Sequence, residues 1–95
     1  MPPSRGNAIN KDDAEAIALQ ALAYLAVDTQ RLSRFLALTG SELGDLRETA
    51  KMPELQASIL EYMMGDESLL LAFCQESGLD PAIIAPAYAL LGGNR

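Results

Sequence analysis

Cys74 is the side chain best suited to act as a nucleophile, and it stands in the run GDESLLLAFCQESGLDP, residues 65–81. The reactive species is the thiolate, and a catalytic cysteine is activated by a base beside it, most often a histidine. The chain contains no histidine. Cys74 also follows five apolar residues, Leu69 to Phe73. Burial in such a segment favours the neutral thiol and makes it inert. The carboxylate pairs Asp12-Asp13 and Asp66-Glu67 invite a reading as acid and base or as metal ligands. Neighbours on a helix point about 100° apart, so neither pair shares a face. No calcium-loop spacing surrounds either pair, and one Cys without His does not make a zinc site. The glycines stand singly, apart from Gly92-Gly93, so no phosphate-cradling loop exists. These residues assign no catalytic group, metal or cofactor, and no enzymatic activity is expected.

Binding chemistry is better represented. Arg31, Arg34, Arg47 and Lys51 are four of the seven cations, all within RLSRFLALTGSELGDLRETAK. That segment has the outline of a helix-turn-helix. Its candidate second helix carries Glu42, Asp45 and Glu48, which phosphates repel, and the chain as a whole has a net charge of −6. Nucleic-acid affinity comes chiefly from cations set against phosphates, so DNA binding is a secondary expectation. Tyr62, Met63 and Met64 close another helix together, and adaptable Met-rich surfaces suit partner binding. Tyr24 and Tyr62 read as packing residues whose hydroxyls reach water or backbone.

The elements that position these groups are helices. Ala and Leu dominate, β-branched residues are few, and no stretch alternates apolar and polar residues. Residues 1–9, with two prolines, read as a disordered tail. Helix one begins at Asn10 or Asp12 and runs to about Val27, with Ala14, Ile17, Ala18, Ala21, Leu22 and Leu25 on one face. Leu19, Ala23 and Tyr24 spread apolar surface further round. Asp28 caps helix two, Thr29 to Thr39, which Gly40 ends. Ser41 caps a short third helix through Leu43, Leu46 and Ala50. Pro53 starts helix four, with Leu55, Ile59, Tyr62 and Met63 on one face, and Gly65 ends it. Asp66 caps helix five and Gly78 stops it. Its all-round apolar surface predicts a helix buried at the centre. Asp80 and Pro81 open helix six, in which Pro86 predicts a kink or break near Ala85.

The chain also matches itself when slid along its own sequence. In one register Leu22 falls on Leu60, Tyr24 on Tyr62, Asp28 on Asp66, Leu32 on Leu70, Phe35 on Phe73 and Gly40 on Gly78. The expectation is an all-α, compact bundle of five to six short helices, made of two copies of a three-helix unit, residues 13–50 and 53–91, within one domain over 10–92. The runs AEAIALQALAYLA, RFLALTG and DESLLLAFCQESGLDP resemble the hallmark segments of a small, uncharacterised bacterial family of short helical proteins, a domain of unknown function. The resemblance covers about residues 13–92 and implies no activity, cofactor or site residue.

A single cysteine leaves no internal disulfide, the N-terminus shows no apolar signal segment, and no run approaches a membrane span. A soluble cytoplasmic protein is expected. A chain of this length buries only about 60–65% of its surface on folding. With 49% apolar residues, it has surface to offer a partner. The leading expectation is a non-enzymatic protein–protein interaction module, as a possible homodimer, with Tyr62, Met63, Met64, Arg31, Arg34, Arg47 and Lys51 as candidate surface residues. The alternatives are a DNA-associated regulator using residues 31–51 and a helical bundle holding a small apolar ligand.

Overall fold

Asn10 opens the first helix by exchanging bonds with Asp13. The Asp13 amide donates to Asn10 Oδ1 at 2.8 Å, and the Asn10 amide donates to Asp13 Oδ2 at 3.0 Å. Two otherwise orphaned donors are thereby satisfied. In the computed structural model, which describes residues 9–93, this helix is α1, Lys11–Val27. It is followed by α2, Thr29–Thr39, a 3-10 turn at Leu43–Asp45, and α3, Leu46–Thr49. Then come α4, Pro53–Met64, α5, Glu67–Ser77, a second 3-10 turn at Pro81–Ile83, and α6, Ile84–Leu90. The chain is an all-α bundle. The expected tail over residues 1–8 lies outside the described residues, while Ile9 packs, half-buried, against the core.

The cap residues act as their chemistry dictates. Asp28 Oδ1 accepts from the amides of Gln30 and Arg31, and Asp66 Oδ1 accepts from that of Leu69. Gly40 and Gly78 end α2 and α5 with the same φ, +71°, a conformation that only glycine adopts without strain. Behind each glycine the next amide reaches back into the last turn. Ser41 donates to the Leu36 carbonyl at 3.0 Å, and Leu79 to that of Cys74 at 2.9 Å.

The core is built on α1 and α4. Ala14, Ile17, Ala18, Ala21 and Leu25 face inward from α1, and Leu55, Ala57, Ile59, Leu60 and Met63 from α4. The alanines at i, i+4 and i+7 of α1 let its backbone come close to its neighbours. Around this pair lie α2, with Leu32 and Phe35, α5, with Leu69, Phe73 and Cys74, and α6, with Ile84 and Ala87. Two aromatic pairs lock the arrangement. The rings of Tyr24 and Phe73 lie 5.6 Å apart at 58°, and those of Phe35 and Tyr62 lie 5.5 Å apart at 70°. Each pair adds about 0.5–1.5 kcal/mol beyond the area it buries.

Four expectations need correction. Helix α5 is not buried on all sides: Leu71 is 46% exposed, and Ala72 and Gln75 also face solvent. The centre belongs to α1 and α4, so α5 has only one inner face to use. Ser41 caps nothing; its Oγ accepts from Thr39 Oγ1 at 3.0 Å, and the following 3-10 turn has Glu42 before it with no side-chain cap. Pro86 does not break a helix. The α-helix begins only at Ile84, after the 3-10 turn that Asp80 caps. Pro86 therefore stands in the first turn, where a missing amide costs nothing. Met63 is fully buried, as described below.

Candidate functional site

Of the helix-end patch expected at Tyr62, Met63 and Met64, Met63 is not at the surface. Met63 is fully buried because it continues the inward stripe of Ile59, four residues earlier. Tyr62 is half-buried against Phe35, and Met64 is half-buried against the core.

Of the four cations, Arg31 and Arg47 line different clefts. Arg31 lies between two helix caps, with Nε 3.5 Å from Asp28 Oδ2 and Nη1 3.8 Å from Asp66 Oδ2. These half-exposed pairs add little stability. Arg31 lines a cleft with Tyr24, Val27, Asp28 and Glu76, whereas Arg47 lines a different one. Arg34 and Lys51 are exposed. Helix α3 provides a single α-helical turn of four residues. Recognition helices lay several side chains along a groove, and α3 is shorter than that.

What the fold does assemble is an apolar groove. One wall is Leu19, Leu22, Ala23 and Ala26 of α1, and the other is Leu43, Leu46, Arg47 and Ala50 of the first 3-10 turn and α3. The groove is shallow and open to solvent, with a volume of about 390 Å³. Each wall follows the i, i+3, i+4, i+7 spacing of one helical face. Seven of its eight lining residues are apolar. Leu19 is 43% exposed and Leu43 65%. The second wall is held by backbone: the Ala50 amide donates to the Leu46 carbonyl at 2.8 Å, and the Ala50 carbonyl accepts from Gln56 Nε2 at 2.9 Å. Gln56 is the buried polar residue of α4, and its Oε1 has no hydrogen-bond partner among the described residues.

The signal for this groove lies in α1, which has a second apolar stripe beside the one it buries. The sequence pattern shows the surplus at Leu19 and Ala23 but does not connect it to Leu43 and Leu46.

Reactive chemistry is absent from the groove. Cys74 sits elsewhere, buried on the inner face of α5, and its thiol is pushed above the usual range, first by burial and then by the Asp80 carboxylate. Among the described residues no group of three or more His, Cys, Asp or Glu side chains is placed to hold a metal ion. No helix among them is long and apolar enough to cross a membrane.

Residues 11–94 match the family described as Protein of unknown function (DUF3572), and the chain belongs to that family. No curated protein and no solved structure matches it.

Proposed function

We propose that this chain, as a member of a family without an assigned activity, is a non-enzymatic protein–protein interaction module working in the cytoplasm. The observation that carries the proposal is the groove between α1 and α3. A chain this small and this apolar has surface it does not bury, and here two aligned helical stripes face each other across one groove. The buried, neutral Cys74 and the dispersed carboxylates supply no catalytic set.

The scaffold around the groove is a doubled three-helix unit on this reading. In the register that sets Leu22 on Leu60, α2 and α5 begin together, Thr29 on Glu67, and end together, Thr39 on Ser77. The two 3-10 turns coincide in the same register, and α3 and α6 start on the same pair, Leu46 and Ile84. The two aromatic pairs are reciprocal: Tyr24 of the first half meets Phe73 of the second, and Tyr62 of the second meets Phe35 of the first. Two like units related by a pseudo-twofold axis pack in this way.

Capture from an extract of the native host tests the function. Tagged chain and its Leu19→Glu/Leu43→Glu variant are compared at equal loading, with circular dichroism confirming that both are folded. The expected result is a set of proteins retained by the wild type and lost from the variant. Identical recoveries would rule the groove out. Light scattering on the same samples reports whether the groove instead pairs two copies of the chain.

A further inference from the structure

The matching place in the second half, between α4 and α6, is an open pocket of about 470 Å³ whose apolar residues are better covered. In the repeat register, Leu19 corresponds to Ala57, Leu22 to Leu60, Leu46 to Ile84 and Ala50 to Tyr88. Leu19 is 43% exposed, against 7% for Ala57. Leu22 and Leu46 are half-buried, while Leu60 and Ile84 are buried. Helix α6 spans seven residues against four for α3, and it packs on both α1 and α4. The added length brings in Tyr88 and leads on to the buried Leu91. The Tyr88 ring is held against the core, and Gly93 lies so close over it that a Cβ there would overlap the ring. The first half has no such ring. Its place is taken by Ala50, and the wall opposite is bare at Leu19.

Resting on the interaction reading above, we propose that the occupant is a short amphipathic helix of a partner protein. It seats an aromatic side chain over Ala50 beside Leu19 and sets a carboxylate against Arg47. The helical form follows from the walls. Each is a two-turn stripe, about 10 Å long, and an amphipathic helix laid between two such stripes meets them with its own i, i+3, i+4 and i+7 residues. Ala23, Ala26 and Ala50 let its backbone approach closely. The aromatic side chain follows from Tyr88. The carboxylate follows from Arg47, the one charged residue of the eight that line the groove. Among the described residues the ion pairs are those of Arg31, so Arg47 meets an incoming helix unpaired. Covering a guanidinium without a counter-charge is costly. A second copy of the chain fits less well. Each copy has a net charge of −6, so two copies repel.

The test uses the full chain and three fluorescein-labelled helical peptides of about 16 residues, long enough to hold helix on a surface. All share one Leu-based apolar face. The first has a central Phe and a flanking Glu, the second replaces the Phe with Ala, and the third replaces the Glu with Lys. Anisotropy at low salt is expected to show the first peptide binding, with the second about tenfold weaker, the scale on which buried aromatic anchors act. The third is weaker on wild type and becomes the better ligand on Arg47→Glu. The Ala50→Tyr variant places a ring at the position that matches Tyr88 and loses the first peptide while remaining folded. Equal binding of all three peptides, lost in Leu19→Glu, would overturn this occupant and leave the interaction reading standing. Absence of binding by the first peptide would overturn the occupant too, and the capture experiment then decides the interaction reading separately. Self-association abolished by Leu19→Glu would replace the partner helix with a second copy.

Discussion

In the repeat register proposed above, helices α2 and α5 fall on each other, with the same length, the same kind of cap and the same left-handed glycine. Helices α3 and α6 also start at matching places and then part company: four residues against seven. The cause is local. Pro53 must begin α4, and a residue before proline is pushed out of the helical region. Met52 accordingly stands at φ −88° and ψ 132°. The chain therefore leaves α3 after Thr49, short of the positions that match Tyr88, Ala89 and Leu90 at the end of α6. An open pocket of about 470 Å³ remains between α4 and α6, lined in part by Glu54, Glu61 and Tyr88, whereas the α1–α3 groove is almost wholly apolar.

This comparison can be probed where the halves agree and where they differ. The largest effects belong to the shared core. Phe35→Ala and Phe73→Ala should each cost about 3–5 kcal/mol in urea unfolding, and the two values should be close, because each ring is fully buried against a tyrosine from the other half. A loss confined to one of them would separate the halves energetically. Next is Gln56, whose bond to the Ala50 carbonyl has no counterpart, since the matching position in the first half is Ala18. Gln56→Ala should cost about 1–3 kcal/mol, and hydrogen exchange should quicken in residues 43–52 but not in 81–91. The helix stops come third. Gly40→Ala and Gly78→Ala meet no atom within 4 Å, so each should cost only the left-handed strain of about 1–2 kcal/mol, equally in the two halves.

The caps at Asn10, Asp28, Asp66 and Asp80, the glycine stops and the start at Pro53 are legible in the sequence because each depends on a few adjacent residues. Burial is less so. Leu71 sits in an apolar run identical in kind to one that would be central, and only the position of α1 and α4 decides that it faces water. Met63 is legible in a different way: it shares the stripe of Leu55 and Ile59, and that spacing turns it inward even though its neighbours in sequence suggest a surface patch. The groove can be half-read from α1, where Leu19 and Ala23 fall outside the buried face. Its other wall depends on α3 ending early, which a pattern of apolar residues does not reveal. Ser41 and Pro86 mislead for a related reason, because two short 3-10 turns move the helix starts downstream.

The smallest effect concerns Cys74, which has no counterpart thiol because Leu36 holds the matching position. In the fold its thiol is held neutral above the ordinary value of 9.0, by burial first and by Asp80 second. A raised pKa gives stability that is complete below the unfolded value and is lost as pH rises through and above about 9. Unfolding of wild type and Cys74→Ala between pH 7 and 10 should show the wild type declining faster at the alkaline end. Parallel curves would mean that the thiol ionises as readily in the fold as outside it. Reaction with a disulfide reagent should likewise be slow until the chain unfolds.

The most direct measurement is a methyl-labelled NMR titration of the full chain with the Phe- and Glu-bearing peptide. Shifts should concentrate on Leu19, Leu22, Leu43 and Leu46, leaving Leu60 and Ile84 in place. Movement centred on Leu60 and Ile84, or on the exposed Leu38 and Leu71, would contradict the assignment of the α1–α3 groove as the surface this protein offers.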